Sequence, residues 1–344
     1  MQYGYTGQLS GPLRGRALEE WKALLAKTGL TSAPGIQYTA LIRDPEGSLI
    51  ASASLEGSVI KCVACDPAHQ GEDLTAAALT LLRRKALEEG RRRLFLYTKP
   101  ENVFLFSGLG FYEVARAGEA ALMEDRRGGF SAWAESVRSP EASGRIGALV
   151  MNCNPMTLGH RYLAEQAAAR CDFLYVFVVS EDRSAVPAAD RLALVRAGLA
   201  GMPHLAIAGT GDYLISAATF PDYFLKDKVR SGQVWTELDA AVFCRAARQL
   251  GIVRRFVGSE PFCPVTAAYN RTLAQVLPRH GVELTELPRL EREGTAVSAT
   301  AVRKLVREGR WEDIRSLVPP PVAEWFAVGE NRARFLARAA ELSE

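Results

Sequence analysis

The stretch Ile146–Gln166, IGALVMNCNPMTLGHRYLAEQ, constrains the fold of this chain more than any other. Ile146–Met151 is a short apolar run of the kind that forms a strand buried on both faces. Asn152-Cys153-Asn154-Pro155 breaks it with turn-forming residues. Thr157-Leu158-Gly159-His160 then opens an Ala- and Leu-rich helix. A strand that turns sharply into a helix gathers free backbone N–H groups at one spot. The helix dipole adds positive potential there, so the spot favours phosphate. Gly159 is expected to let a ligand approach the backbone, and His160 to supply a donor that can be charged near neutral pH.

Strand and helix go on alternating after this element, as in an open parallel sheet. Strands are expected at Asp172–Val179, Leu205–Ala208, Arg254–Gly258 and Val282–Leu287. Helices are expected at Ala188–Leu199, Thr236–Leu250 (Thr236 as N-cap), Val265–Val276 and Ser298–Arg307 (Ser298 as N-cap). The chain after Pro319-Pro320-Pro321 reads as a C-terminal helix covering the core. Ligands of such sheets sit at the carboxyl ends of the strands. The polar residues following each strand are then the candidates. These are Asn152, Asn154, Thr157 and His160, then Ser180-Glu181-Asp182-Arg183, then Gly258-Ser259-Glu260-Pro261, then Ser298–Arg303. In the last cluster Ser298 and Thr300 place hydroxyls at a helix start, and Arg303 adds a planar cationic fork. Two such helix N-termini are suited to hold a triphosphate between them.

The first half is ordered differently. Arg14–Thr28 has amphipathic helical spacing, and Gln37–Arg43 and Ser48–Ser54 form a hairpin around Asp44-Pro45-Glu46-Gly47. A strand at Ser58–Cys65, a long helix at Asp73–Glu89 and a strand at Leu94–Tyr97 follow. A short helix at Pro100–Ser107 and strands at Gly110–Val114 and Ala120–Met123 complete the set.

A chain of 344 residues with 48% hydrophobic content supports two cores. A net charge of +3 gives no reason to expect nucleic acid as a partner. Arg83-Arg84-Lys85 and Arg91-Arg92-Arg93 read as solvated faces. No signal-like leader or apolar run of roughly 18 residues is seen, so a cytoplasmic location is expected. Six cysteines are scattered; Cys62 and Cys65 fall in a strand pattern and read as buried thiols, as does Cys153. Arg191 reads as supporting its own helix by pairing. Tyr213, Phe220, Tyr223 and Phe224 read as packing, with an acetate pocket as the functional alternative.

The first half resembles the acetyltransferase fold of the GNAT superfamily over roughly residues 10–125. That superfamily holds the pyrophosphate of an acyl-CoA on a Gln/Arg-x-x-Gly-x-Gly/Ala turn. Gln70 matches it, whereas Asp73 and Thr75 depart from it. In the second half, Thr157-Leu158-Gly159-His160 and Val297-Ser298-Ala299-Thr300-Ala301-Val302-Arg303 resemble the two signatures of the (His/Thr)-x-Gly-His nucleotidyltransferase superfamily, with Ala299 replacing a serine. Together, and with Glu181–Val195, Asp212–Lys226 and Phe256–Asn270, they resemble the citrate lyase ligase family.

The resemblance implies an α/β chain made of a GNAT-like mixed-sheet domain (1–126), a linker (127–145), a Rossmann-like nucleotidyltransferase domain (146–318) and a C-terminal helical extension (319–344). It implies an acid–thiol ligase that uses ATP, with Mg²⁺ on the phosphates rather than in a protein cage. Acetate is activated as acetyl-adenylate and passed to the prosthetic-group thiol on the acyl-carrier subunit of citrate lyase. Catalytic roles fall to His160, Thr157 and Arg303. Nucleotide-binding roles fall to Asn152, Asn154, Gly159, Arg183, Gly258, Ser259, Glu260, Ser298 and Thr300. Two alternatives share the motifs: an adenylyltransferase acting on a phosphorylated pantetheine or mononucleotide, and a non-catalytic nucleotide-binding regulator.

Overall fold

The computed structural model describes residues 4–216, 228–260, 264–292 and 295–341. It divides into two compact units, one of residues 1–129 with 217–238 and one of residues 130–216 with 239–344.

The first unit contains β1 (Thr6–Ser10), α1 (Gly15–Lys27), β2 (Tyr38–Arg43), β3 (Leu49–Glu56), β4 (Val59–Cys65), α2 (Leu74–Glu88), β5 (Phe95–Thr98), α3 (Val103–Gly108), β6 (Tyr112–Ala117) and β7 (Ala120–Glu124). Its strands make one seven-stranded sheet in the order β1-β2-β3-β4-β5-β7-β6. Neighbours are antiparallel except β4 and β5, which run parallel and pair only at Val59–Phe95 and Ile60–Leu96. The side-chain period of two decides what each face buries. Ala40 and Ile42 of β2 face the cluster of α2 (Leu74, Ala78, Leu79, Leu82), while Leu41 faces Trp21, Leu24 and Leu25 of α1. β1 was not expected: TGQLS lacks an apolar alternation, and it is held as an edge strand by pairing along β2.

The second unit holds α4 (Gly129–Val137) from Phe130 on, β8 (Ile146–Met151), α5 (Leu158–Ala168), β9 (Phe173–Val178), α6 (Ala188–Gly198), β10 (Leu205–Gly209), the part of α7 (Lys228–Leu250) from Asp239 on, β11 (Ile252–Gly258), α8 (Pro264–Val276) and β12 (Glu283–Leu287). A hairpin of β13 (Glu291–Arg292) and β14 (Thr295–Ala296) precedes α9 (Ala299–Arg307), α10 (Pro320–Ala327) and α11 (Gly329–Glu341). Strands β8 to β12 form an all-parallel sheet in the order β10-β9-β8-β11-β12. β8 therefore lies at the reversal of strand order, where open sheets bind ligands. Its central position is why Ala148 and Leu149 are buried.

Three expectations change. α7 starts at Lys228, and Thr236 lies inside it, its hydroxyl donating to Gln233 O at 2.8 Å instead of capping. Residues 127–145, read as a connection, hold α4, whose Phe130 and Trp133 pack on Tyr213 with ring centroids 5.0 and 5.3 Å apart. The C-terminal segment is two helices, and Val322, Phe326, Phe335 and Ala339 enter the same core as Leu149 and Val176. Phe220, Tyr223 and Phe224 lie outside the described residues. Among the described residues, no helix is long and apolar enough to cross a membrane.

Candidate nucleotide site

The turn after β8 is built by its own side chains. Cys153 takes a left-handed φ of 50° and is buried, its thiol pushed up to about 12 by that burial, so it holds a place in the core instead of acting as a nucleophile. The Asn154–Pro155 peptide is cis. Thr157 is the N-cap of α5, extended at φ −125°. Its backbone N–H donates to His160 Nδ1 at 3.1 Å, its hydroxyl lies 2.8 Å from the same nitrogen, and His160 N–H donates back to Thr157 Oγ1 at 3.4 Å. This is a capping box in which histidine takes the role usually played by glutamate.

The box fixes the state of the ring. Because Nδ1 accepts from a backbone N–H, the proton of the neutral ring sits on Nε2. Burial pushes the imidazole down to about 4, and the nearby positive charge of Arg289 adds to the effect. The expectation of a histidine charged near neutral pH is thereby corrected. His160 is a neutral donor through Nε2–H.

The second motif is tied to the first. Ser298 caps α9, its hydroxyl accepting from Ala301 N–H at 3.2 Å. Arg303, one turn on, donates through Nη1 to Asn154 O at 2.7 Å and through Nη2 to Thr300 Oγ1 at 2.9 Å. At the start of α5, a Cβ on Gly159 would stand 2.6 Å from Val297 O. The missing side chain therefore makes room for the backbone that leads into α9, which corrects the reading of Gly159 as an opening for a ligand. Leu158 N–H is likewise spent on Leu317 O at 2.8 Å. Gly159→Ala is expected to cost about 1–3 kcal/mol, as overpacking against backbone does. Thermal unfolding of the variant checks this, and an unchanged melting temperature would show that Val297 yields freely.

The remaining candidates divide. Asn154 Oδ1 accepts from Val186 N–H at 2.9 Å, and Asn152 O accepts from Arg191 Nη1 at 3.0 Å, with Asn152 Oδ1 bound to the same nitrogen. Both asparagines shape the turn. Arg191 is fully buried and reaches across to the turn and to Glu181 O, a wider role than pairing on its own helix. Arg338 of α11 holds the following loop, donating to Ser184 O at 2.9 Å and to Asp182 O at 2.8 Å. Arg183 in that loop is exposed and paired with Glu181 at 3.6 Å. At the end of β11, Gly258 O accepts from Asn270 and Ser259 N–H donates to Leu287 O. Glu260 pairs with Arg289, which also donates to Ser259 O at 2.7 Å. Sequence reasoning missed Arg289. Its signal was a cation two residues past the end of a parallel strand. Among the described residues, no group of three or more His, Cys, Asp or Glu is placed to hold a metal ion.

Comparison with known proteins identifies the lineage. The family described as the citrate lyase ligase C-terminal domain matches residues 146–326. A [citrate [pro-3S]-lyase] ligase of Klebsiella pneumoniae is 43% identical over 288 residues, covering 82% of this chain and 84% of that protein. This chain belongs to the citrate lyase ligase family. Like its curated relatives, it is a ligase of the [citrate [pro-3S]-lyase] ligase type. Two solved structures are also similar in part. One is Thermotoga maritima TmcAL bound with alpha-thio ATP (14% identity, 55% of this chain and 57% of that chain, TM-score 0.37). The other is a putative acyl-CoA N-acyltransferase from Klebsiella pneumoniae (22% identity, 35% and 95%, TM-score 0.29).

The first unit carries a cavity of about 460 Å³, lined by the ends of β4 and β5, the start of α2, and α3. The acetyltransferase resemblance implies an acyl-CoA there, with pyrophosphate at the start of α2. The residues present do not fit it. Asp73 occupies the N-cap of α2 at a left-handed φ of 56° with no side-chain cap bond, and Glu72 beside it is held ionised by the Tyr5 hydroxyl. Two carboxylates at a helix start repel a diphosphate.

Proposed function

We propose that this chain activates acetate with ATP and transfers the acetyl group to the prosthetic-group thiol of citrate lyase. In the first step an acetate oxygen bonds to the α-phosphorus of ATP. The bond from that phosphorus to the bridging oxygen breaks, and pyrophosphate leaves with the electron pair. In the second step the thiol sulfur attacks the acetyl carbon of acetyl-adenylate, AMP departs with the electron pair, and the thiol proton passes to solvent. Such steps need positioning and charge neutralisation rather than a protein nucleophile.

The observation that supports this reading is the bond from Arg303 to Asn154 O, which ties α9 to the turn before α5, and we read the two helix starts as one phosphate clamp. His160 and Thr157 serve the α-phosphate. Arg303, Ser298 and Thr300 hold the β- and γ-phosphates as they leave. Gly258, Ser259 and Glu260 lie toward the adenosine. Mg²⁺ enters on the phosphates. The expected result is exchange of labelled pyrophosphate into ATP only when acetate is present. Exchange that needs a phosphorylated pantetheine instead would make the chain an adenylyltransferase, and acetate-independent exchange would sink the reading.

A further inference from the structure

Phe104 is 89% exposed, more than any other large apolar side chain among the described residues, and Leu105 beside it is 53% exposed. Neither sits on a loose loop. Phe106 turns inward from the same short helix α3 and meets Phe111 edge-on at 6.3 Å. Phe111 N–H closes back onto Phe106 O at 3.0 Å. Arg83 of α2 lies 4.7 Å over the Phe111 ring and donates to Leu109 O at 2.9 Å, pinning the far end of the helix. The two exposed side chains are thus presented on a fixed seat. A preorganised aromatic anchor binds without the entropy cost of ordering a loop. Leu105 is also part of the cavity wall, so the apolar face continues into the 460 Å³ space.

The size of the face narrows its occupant. Two such side chains bury on the order of 300 Å², well short of the roughly 800 Å² per partner of a stable interface. A permanent second copy of the chain is disfavoured, and a transient contact with a partner that comes and goes is favoured. Of the substrates in the reaction proposed above, ATP and acetate are small and only the thiol carrier is a protein. We propose that the Phe104–Leu105 face of α3 docks citrate lyase, through the polypeptide that carries its thiol group. This inference rests on the acetyl-transfer reading. The stretch FLFSGLGF (Phe104–Phe111), which supplies most of α3 and the turn after it, then has a recognition role.

The test uses the full chain with Phe104→Glu and, separately, Leu105→Gln. Three quantities are measured: acetate-dependent pyrophosphate exchange, acetylation of thiol-form citrate lyase, and mass by light scattering. Because both side chains are exposed, exchange is expected to stay within twofold of the unsubstituted enzyme, which also reports intact folding. kcat/KM for the lyase is expected to fall at least tenfold in Phe104→Glu, mainly through KM, and less in Leu105→Gln. Unchanged acetylation with intact exchange overturns this inference alone. A fall in mass on substitution overturns it in favour of a second copy of the chain. Unsubstituted enzyme that shows no acetate-dependent exchange overturns the activity reading and this inference together.

Discussion

His160→Ala is expected to lower the rate of acetate-dependent pyrophosphate exchange by on the order of 10²–10³, the usual cost of losing one preorganised transition-state donor. The fold should survive, because the ring sits at a helix start and is not part of the hydrophobic core. The substitution also deprives Thr157 N–H of its acceptor, Nδ1. Loss of a cap partner costs about 1 kcal/mol, so a modest fall in melting temperature is expected beside the kinetic effect. His160→Gln separates the two. Glutamine at this helix position can reach back to the cap N–H and restore the box, so stability should recover while exchange stays slow. An alanine variant that exchanges at the normal rate removes His160 from the chemistry.

The same ring makes a prediction about pH. Its folded pKa is about 4 against an ordinary 6.5. The unfolded chain therefore takes up the proton first as pH falls. The contribution of neutral His160 to stability is complete above about pH 6.5 and is lost progressively toward pH 4. For catalysis the consequence is a long plateau. Activity governed by His160 should not decline between pH 7.5 and 5.5, and an NMR titration of the ring should find its midpoint near 4. A midpoint near 6.5, matched by falling exchange, would show that the burial acting on His160 is relieved in solution.

How much of this was legible beforehand depends on whether a feature is local. β8 was expected at Ile146–Met151 and is found there, because an apolar run ended by turn residues fits a central parallel strand and little else. The Ser298 cap was legible for the same reason. What could not be read are relations across the chain. Nothing near Gly159 announces that Val297 O will fill the space of its Cβ. Nor does anything near Arg338 announce that it will hold residues Asp182 and Ser184. His160 was misjudged for a related reason. Its ordinary pKa is a property of the residue, and its shifted one is set by burial and by Arg289, which arrives from the far side of the sheet order. β1 and α4 were missed because one is polar and edge-bound and the other short, so pairing and packing decided them.

Arg303→Ala is expected to be at least as damaging as loss of His160, about 10³ in exchange turnover, in keeping with arginines that neutralise transferring phosphates. It removes a cation and also the bond to Asn154 O that fastens the second helix start to the first turn. Arg303→Lys keeps the charge but cannot reach Asn154 and Thr300 at once from a planar fork, so it should fall between the two. The coupling is the more decisive measurement. If the two helix starts work as a single clamp, opening it at Arg303 already misplaces the donor on His160. The double variant His160→Ala/Arg303→Ala should then be little slower than the worse single variant, as for residues that act as a unit. Fully multiplicative losses, near 10⁵–10⁶ together by the same magnitudes, would mean that the bond between the motifs is only structural. In that case the two helix starts would each act on the nucleotide alone.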